Sequence, residues 1–120
     1  LVVSVMTCAA PMVREGKYGL SEQQYCDMFY NRICSMLMCA AEWHYDGLVL
    51  GAFGCGAFGN DARTVSDLFY KALKEFGYMG GDLGTYFSRI DFAVLDGSTD
   101  QYNYNEFQRN FGNFYLGQPE

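Results

Sequence analysis

Four glycines fall within the nine residues of Gly51–Gly59, and this spacing predicts a loop that can hold an anion. Glycine lacks a Cβ, so its backbone can approach a ligand closely and present bare N–H groups. An apolar run, Gly47–Leu50, precedes the loop, and Asn60 and Asp61 follow it as candidate N-caps of a helix. Because a helix N-terminus favours negative charge, a loop in this position suits a phosphate or pyrophosphate. The sequence therefore predicts a nucleotide-like ligand.

Other interpretations of this loop differ in what they require next to it. Gly54–Gly59 matches the dinucleotide pattern GxGxxG, but an NAD site expects an acidic residue about 20 positions later. Here the next predicted strand ends only near Asp96. A P-loop ends in Gly-Lys-Ser/Thr, whereas this loop ends in Gly-Asn-Asp, which excludes that interpretation. A tight turn without a ligand stays open, although the glycine density and the aromatic Phe58 weaken it.

Hydrophobic spacing predicts three strands and three helices that would position the loop. Runs of β-branched and apolar residues predict strands at 1–6, 47–52 and 90–95. Apolar residues that recur every three to four positions predict helices at 21–43, 62–76 and 104–114. Ser21 with Gln24, and Asn103 with Glu106, have the spacing of helix N-terminal caps, and Gly77 is typical of a position just after a helix.

Three strand–helix units in sequence predict an α/β fold, with a mostly parallel sheet and helices on both faces. Such a sheet binds ligands at the carboxyl ends of its strands. The segments 7–11, 51–60 and 96–99 are therefore expected to face one crevice. Because three strands make a thin sheet, we expect one edge to pair with a missing N-terminal segment or with another chain.

Length and charge limit the classes of function. The chain has 120 residues, enough for one domain at 1–120. Its formal net charge of −6 argues against a nucleic-acid polymer, whose backbone is bound by excess Lys and Arg, but not against a single nucleotide. The apolar start lacks a basic leader and is too short to span a membrane. The chain begins with Leu1, which suggests a processed or truncated start.

The cysteines predict a reduced, cytoplasmic protein, because they are odd in number and never spaced C-x-x-C. They are Cys8, Cys26, Cys34, Cys39 and Cys55. Since zinc needs clustered ligands and His44 is the single histidine, we expect neither a metal nor a cofactor. Cys55 lies in a loop before a helix, where a thiol pKa tends to fall, but a nucleophile also needs a base. Asp96 and Asp100 suit a ribose hydroxyl or a turn beside Gly97 equally well.

The segment Leu48–Asp61 resembles the central signature of the microbial-type poly(ADP-ribose) glycohydrolases, which are macrodomain proteins. Val3–Pro11 is similar to the preceding strand and Ala-Pro loop of this family, and Ile90–Val94 to its late Phe-Ala-Val strand. Phe107–Phe111 resembles the closing helix. The resemblance implies the C-terminal portion of a three-layer macrodomain, and its ligand would be ADP-ribose, either free or attached to a protein.

The resemblance also implies roles for individual residues. Gly54–Phe58 would wrap the diphosphate with backbone N–H groups, Phe58 would pack on the distal ribose, and Asp96 would lie near the adenosine. The predicted ligand-binding residues are Gly51, Gly54, Cys55, Gly56, Ala57, Phe58, Gly59, Asn60 and Asp96.

One feature of the family is missing from these residues. The hydrolases carry a Gly-Gly-Gly loop and paired glutamates, one of which protonates the leaving oxygen, and neither motif occurs here. The glutamates are isolated: Glu15, Glu22, Glu42, Glu75, Glu106 and Glu120. Hydrolysis therefore stays open, and no catalytic residue is assigned. The alternatives are a non-catalytic interaction protein that keeps the fold, and an NAD-binding oxidoreductase.

Overall fold

A computed structural model describes residues 2–75 and 87–112. It contains three helices and two strands, which in chain order are α1 (Glu22–Glu42), β1 (Gly47–Leu50), α2 (Ala62–Glu75), β2 (Arg89–Phe92) and α3 (Tyr102–Phe111). These elements coincide with five of the six predicted from the sequence. The predicted ends at Phe76 and Phe114, the cap Gly77 and most of the connection 78–89 lie outside the described residues.

Helix α1 begins as the sequence predicts. The Ser21 side chain accepts a hydrogen bond from the Gln24 amide, and the Gln24 side chain accepts one from the Ser21 amide. This reciprocal pair satisfies two donors that the first turn leaves free. One face of the helix is buried at helical spacing, through Tyr25, Phe29, Ile33, Leu37 and Ala40. The helix ends at a C-cap, Trp43.

Strands β1 and β2 form a parallel pair, with Leu48 opposite Ile90 and Leu50 opposite Phe92. The described residues thus confirm a parallel α/β arrangement with two strands. The strand predicted at 1–6 is wrong for residues 2–6, which form no strand within the described part of the chain. β-branched residues favour a strand only when a neighbouring strand supplies hydrogen bonds and packing, and none of the described residues does so here.

Helix α2 packs against both α1 and α3 and carries the centre of the core. Its buried face includes Val65, Phe69 and Leu73, each no more than 1% exposed. The Phe69 ring meets Phe92 of β2 edge to face at 5.4 Å and lies 6.3 Å from Phe107 of α3. Aromatic burial of this kind contributes most of the packing energy of a small core. The helix that follows the glycine loop is therefore fixed on both sides.

The start of α3 and the end of β2 differ from the sequence prediction. Asn103 and Glu106 do not cap α3; instead, the Asp100 and Asp96 carboxylates accept hydrogen bonds from the amides of Tyr102 and Tyr104. A carboxylate in the preceding turn satisfies the same free N–H groups as a capping box. Strand β2 ends at Phe92 rather than at residue 95. In the described ranges, no helix is long and apolar enough to cross a membrane.

Candidate functional site

The glycine loop, residues 51–60, leaves the carboxyl end of β1 and closes on itself before α2. Gly54 and Gly59 have φ values of +74° and +82°, a conformation that side chains rarely adopt. A Cβ on Gly54 would lie 2.6 Å from both the Ala10 Cβ and the Asn60 Nδ2. The Asn60 amide donates to the Gly54 carbonyl at 3.0 Å and closes the turn. Two of the four glycines are therefore required by the fold of the loop itself.

Some backbone amides of the loop are already bonded, and three consecutive exposed ones are not. Those of Phe53, Cys55, Gly59 and Asn60 donate to carbonyls of the same loop. The amides of Gly56, Ala57 and Phe58 donate to no other residue in the described part of the chain, and all three residues are exposed. A Cβ on Gly56 would meet nothing within 4 Å. Three consecutive free donors on an open rim can receive an anion.

Asn60 is buried, at 3% exposure, and its side chain is engaged within the protein. Its Oδ1 accepts from the Tyr25 hydroxyl at 2.5 Å, and its Nδ2 donates to the carbonyls of Pro11 and Gly54 at 2.6 and 2.8 Å. The helix cap falls instead to Asp61, whose carboxylate accepts from the Thr64 amide at 3.2 Å. Asn60, predicted as a ligand contact, thus lies where it can shape the loop.

The segment 10–14 packs along the outer side of the glycine loop. The Val13 amide donates to the Phe58 carbonyl at 2.8 Å, and the Arg14 guanidinium donates to the Ala57 carbonyl at 2.5 Å. Arg14 is exposed, and its contact with the Ala57 carbonyl places a positive charge at the loop. The sequence prediction missed this residue. The available signal was a basic residue just after the Ala-Pro loop in a chain of net charge −6.

Cys55 is buried beneath the loop, and burial raises the pKa of its thiol to about 12. The expectation that its pKa falls is therefore wrong, because desolvation of a thiolate outweighs the effect of the helix N-terminus. A thiol with this pKa is protonated at neutral pH, which argues against a role of Cys55 as a nucleophile. The Cys55 carbonyl accepts a hydrogen bond from the Asn103 side chain at 3.2 Å, which links α3 to the loop.

Asp96 forms a turn in this structure. Its carboxylate accepts from the Ser98 hydroxyl and amide at 2.5 and 3.0 Å and from the Tyr104 amide at 3.2 Å. The hydrogen bonds from Ser98 lower the pKa of the Asp96 carboxyl below its usual value. Asp96 was expected either to bind a ribose hydroxyl or to form a turn beside Gly97, and its contacts in the structure are those of the turn. Phe58 remains on the rim, 41% exposed.

Two of the described glutamates are held in ion pairs with basic side chains. Lys17 donates to Glu22 at 2.7 Å, and this hydrogen bond lowers the pKa of the Glu22 carboxyl. Glu106 accepts from Arg109 at 2.9 Å on α3. Among the described residues, no group of three His, Cys, Asp or Glu side chains is placed to hold a metal ion.

A cavity of about 210 Å³ lies between β2 and α3. Its walls include Ile90, Phe92, Val94, Tyr104, Phe107 and Phe111. None of its lining residues belongs to the glycine loop. Of the three segments predicted to face one crevice, 7–11 meets the loop through the Pro11 carbonyl, but no hydrogen bond joins 96–99 to the loop within the described residues.

Solved structures of bacterial poly(ADP-ribose) glycohydrolases are similar to this chain. The enzyme from Deinococcus radiodurans in complex with ADP-ribose is 32% identical, with a TM-score of 0.64, over 73% of this chain. The same enzyme in apo form gives 31% and 0.66 over 81% of this chain. The enzyme from Thermomonospora curvata bound to the inhibitor ADP-HPD gives 30% and 0.65 over 77%. The predicted resemblance is thus confirmed in sequence and in fold.

The chain spans about a third of the length of these enzymes, since the matches cover 33%, 36% and 33% of them. Comparisons with models of protein families and with curated proteins found no match.

Proposed function

We propose, from the similarity of this chain in sequence and fold to the bacterial poly(ADP-ribose) glycohydrolases, that it recognises ADP-ribose, either free or attached to a protein. The proposed contacts are the free amides of Gly56, Ala57 and Phe58, which would donate to the diphosphate. Three exposed, unpaired donors in sequence are the observation that carries this proposal. Backbone amides hold phosphates without a basic surface, so the net charge of −6 is no obstacle.

Two side chains complete the proposed site. Arg14 would add charge-assisted hydrogen bonds to the diphosphate while its guanidinium also holds the Ala57 carbonyl. The exposed ring of Phe58 would pack on the distal ribose. Gly51, Gly54, Cys55, Gly59 and Asn60 would act through the conformation of the loop, and Asp96 would lie on the adenosine side.

For the single domain at 1–120, we extend the proposal to a three-layer macrodomain that removes or recognises ADP-ribose on proteins. A general acid for hydrolysis would come from outside these residues, because the described glutamates are solvated or paired. The fold would then place the diphosphate, while another segment protonates the departing oxygen.

A second candidate is an interaction protein, and the segment 2–6 supports it. Val2, Val3 and Val5 are 95%, 71% and 84% exposed, which is unusual for three valines in sequence proximity. They would pair with another chain or with a further segment of the protein at the edge of the sheet. Concentration-dependent association in sedimentation velocity, without ADP-ribose binding, would favour this candidate over the first.

The proposed function is tested by calorimetry with ADP-ribose and a Gly56→Glu variant. A carboxylate on the rim would repel the diphosphate and cover the free amides, so we expect affinity to fall at least about 100-fold. Folding should persist, because nothing lies within 4 Å of a Cβ at this position. Gly47→Glu is the matched control, since Gly47 is equally open and begins β1, at the end of the strand away from the loop. No heat from a folded wild-type protein at millimolar ADP-ribose would contradict the proposal.

A further inference from the structure

A buried chain of hydrogen bonds connects helix α1 to the glycine loop. The Tyr25 hydroxyl donates to Asn60 Oδ1 at 2.5 Å, and Asn60 Nδ2 donates to the carbonyls of Pro11 and Gly54 at 2.6 and 2.8 Å. Tyr25 is 2% exposed and Asn60 3% exposed. We refer to these two side chains and two carbonyls as the Tyr25–Asn60 network. It joins three parts of the chain that are distant in sequence.

The chemistry of the network requires an amide at position 60. An asparagine side chain offers an acceptor and two donors in one plane, and here the acceptor faces a hydroxyl while the donors face two carbonyls. An ionised aspartate offers acceptors only and would oppose both carbonyl oxygens. A buried polar group that loses its partner is destabilised by its own desolvation, so each member depends on the others.

The network acts on the part of the loop that carries the free amides. The Gly54 carbonyl accepts from both the Asn60 amide and the Asn60 side chain, which closes the loop across residues 54–60. Gly54 lies at one end of this closure with a φ of +74°. The residues between the two ends, Gly56, Ala57 and Phe58, are thereby held on the exposed rim.

We propose that Tyr25 and Asn60 are positioning residues for the anion site: they set the direction of the rim amides without touching the ligand. The proposal rests on the proposed function for its effect on binding. Its structural part, that the network holds the loop, stands independently of any ligand. The Tyr25 hydroxyl is the informative atom, because Tyr25→Phe removes it and leaves the packing of the ring intact.

The experiment measures ADP-ribose affinity of the full chain by calorimetry for the wild type, Tyr25→Phe and Asn60→Asp. We expect each variant to bind about tenfold more weakly, the loss that follows when a buried hydrogen bond is broken. Tyr30→Phe is the matched control and should bind within about twofold of the wild type. Tyr30 lies on the same helix, but its ring faces the Lys71 ammonium of α2, 4.4 Å away, rather than the loop.

Amide hydrogen exchange without ligand supplies the second readout. The amides of Cys55, Gly59 and Asn60 are bonded within the loop, so we expect them to exchange faster in Tyr25→Phe. The Ile33 amide in α1 should keep its wild-type exchange rate. Should Tyr25→Phe fail to fold, Asn60→Ser is the second variant, because its hydroxyl carries a single donor and cannot serve both carbonyls. It should fold and bind ADP-ribose more weakly than the wild type.

The outcomes separate the two proposals. Wild-type affinity and wild-type loop protection in Tyr25→Phe would overturn the positioning role and leave ADP-ribose binding intact. A wild type that does not bind ADP-ribose would overturn the proposed function. In that case, unchanged loop exchange in Tyr25→Phe overturns the network as well, whereas faster exchange confined to the loop supports it.

Discussion

The glycine loop and the amino-terminal segment, residues 2–9, differ in how the chain satisfies their backbone. The loop closes four backbone hydrogen bonds on itself, and five residues outside it anchor it by further hydrogen bonds: Pro11, Val13, Arg14, Tyr25 and Asn103. The amino-terminal segment has no backbone–backbone hydrogen bond to another described residue; its contacts are those of Ser4 with Tyr45 and of the Ala9 carbonyl with Arg32. Because the loop bonds to itself and to nearby segments of the same chain, its conformation needs no partner molecule. A segment without backbone partners needs a neighbour to bond its N–H and C=O groups along its whole length.

The same difference separates two kinds of polar exposure. The loop leaves three consecutive exposed amides that bond no other described residue, and backbone donors of this kind can hold an anion. The amino-terminal segment leaves an exposed, valine-rich stretch whose backbone pairs with no backbone group of the described residues, as a sheet edge does before a strand is added. We therefore propose different partners for the two regions, a diphosphate for the loop and a polypeptide for the segment.

The largest effect on this comparison is expected from Gly54→Val. The new side chain would meet Ala10 and Asn60 at 2.6 Å in a backbone conformation with φ +74°. We expect the free energy of unfolding to fall by about 3 kcal/mol, measured by urea denaturation, because strain and overpacking add. Gly97→Val, where nothing lies within 4 Å, should cost less than about 1 kcal/mol. Equal losses at both positions would show that the loop is not locally closed.

Features that depend on local neighbours were predictable from the sequence, and features that depend on distant partners were not. The capping pair Ser21 and Gln24, the three helices and the glycine loop were predictable because each depends on neighbours within a few residues, whereas β1 and β2 form because each pairs with the other. The strand at 2–6 was not predictable, since its formation depends on a pairing partner. The contact of Asn103 with the loop was also missed, because several polar residues near the start of α3 are able to cap the helix and the sequence does not show which of them does so.

Within the site, residue types were predictable and roles were not. The positive φ at Gly54 and Gly59 follows from the residue type, but the burial that raises the pKa of Cys55 depends on packing by distant residues. Arg14 escaped prediction for the same reason, since its position beside Ala57 arises from contact between segments 43 residues apart. Long-range contacts thus decide which loop residues are free to meet a ligand.

A smaller effect is expected from Arg14→Ala, which probes the place where the amino-terminal region joins the loop. Loss of the guanidinium removes the hydrogen bond to the Ala57 carbonyl and the positive charge beside the rim. We expect ADP-ribose affinity to fall about three- to tenfold, with a weaker dependence on salt concentration than the wild type. Arg89→Ala is the control, because Arg89 is exposed on β2 and pairs with Asp91. An unchanged salt dependence in Arg14→Ala would remove this side chain from the site.

The smallest effect is expected from Val5→Asp in the amino-terminal segment. Val5 is 84% exposed, so the substitution should change the free energy of unfolding by less than about 0.5 kcal/mol in urea denaturation. Val65→Ala serves as the comparison, since Val65 is 0% exposed in α2 and its truncation should cost about 2 kcal/mol. A loss above about 1 kcal/mol in Val5→Asp would mean that Val5 is buried in solution, because an exposed valine has no packing to lose. The segment would then behave as the strand that its β-branched residues predict, and the contrast with the glycine loop would no longer hold.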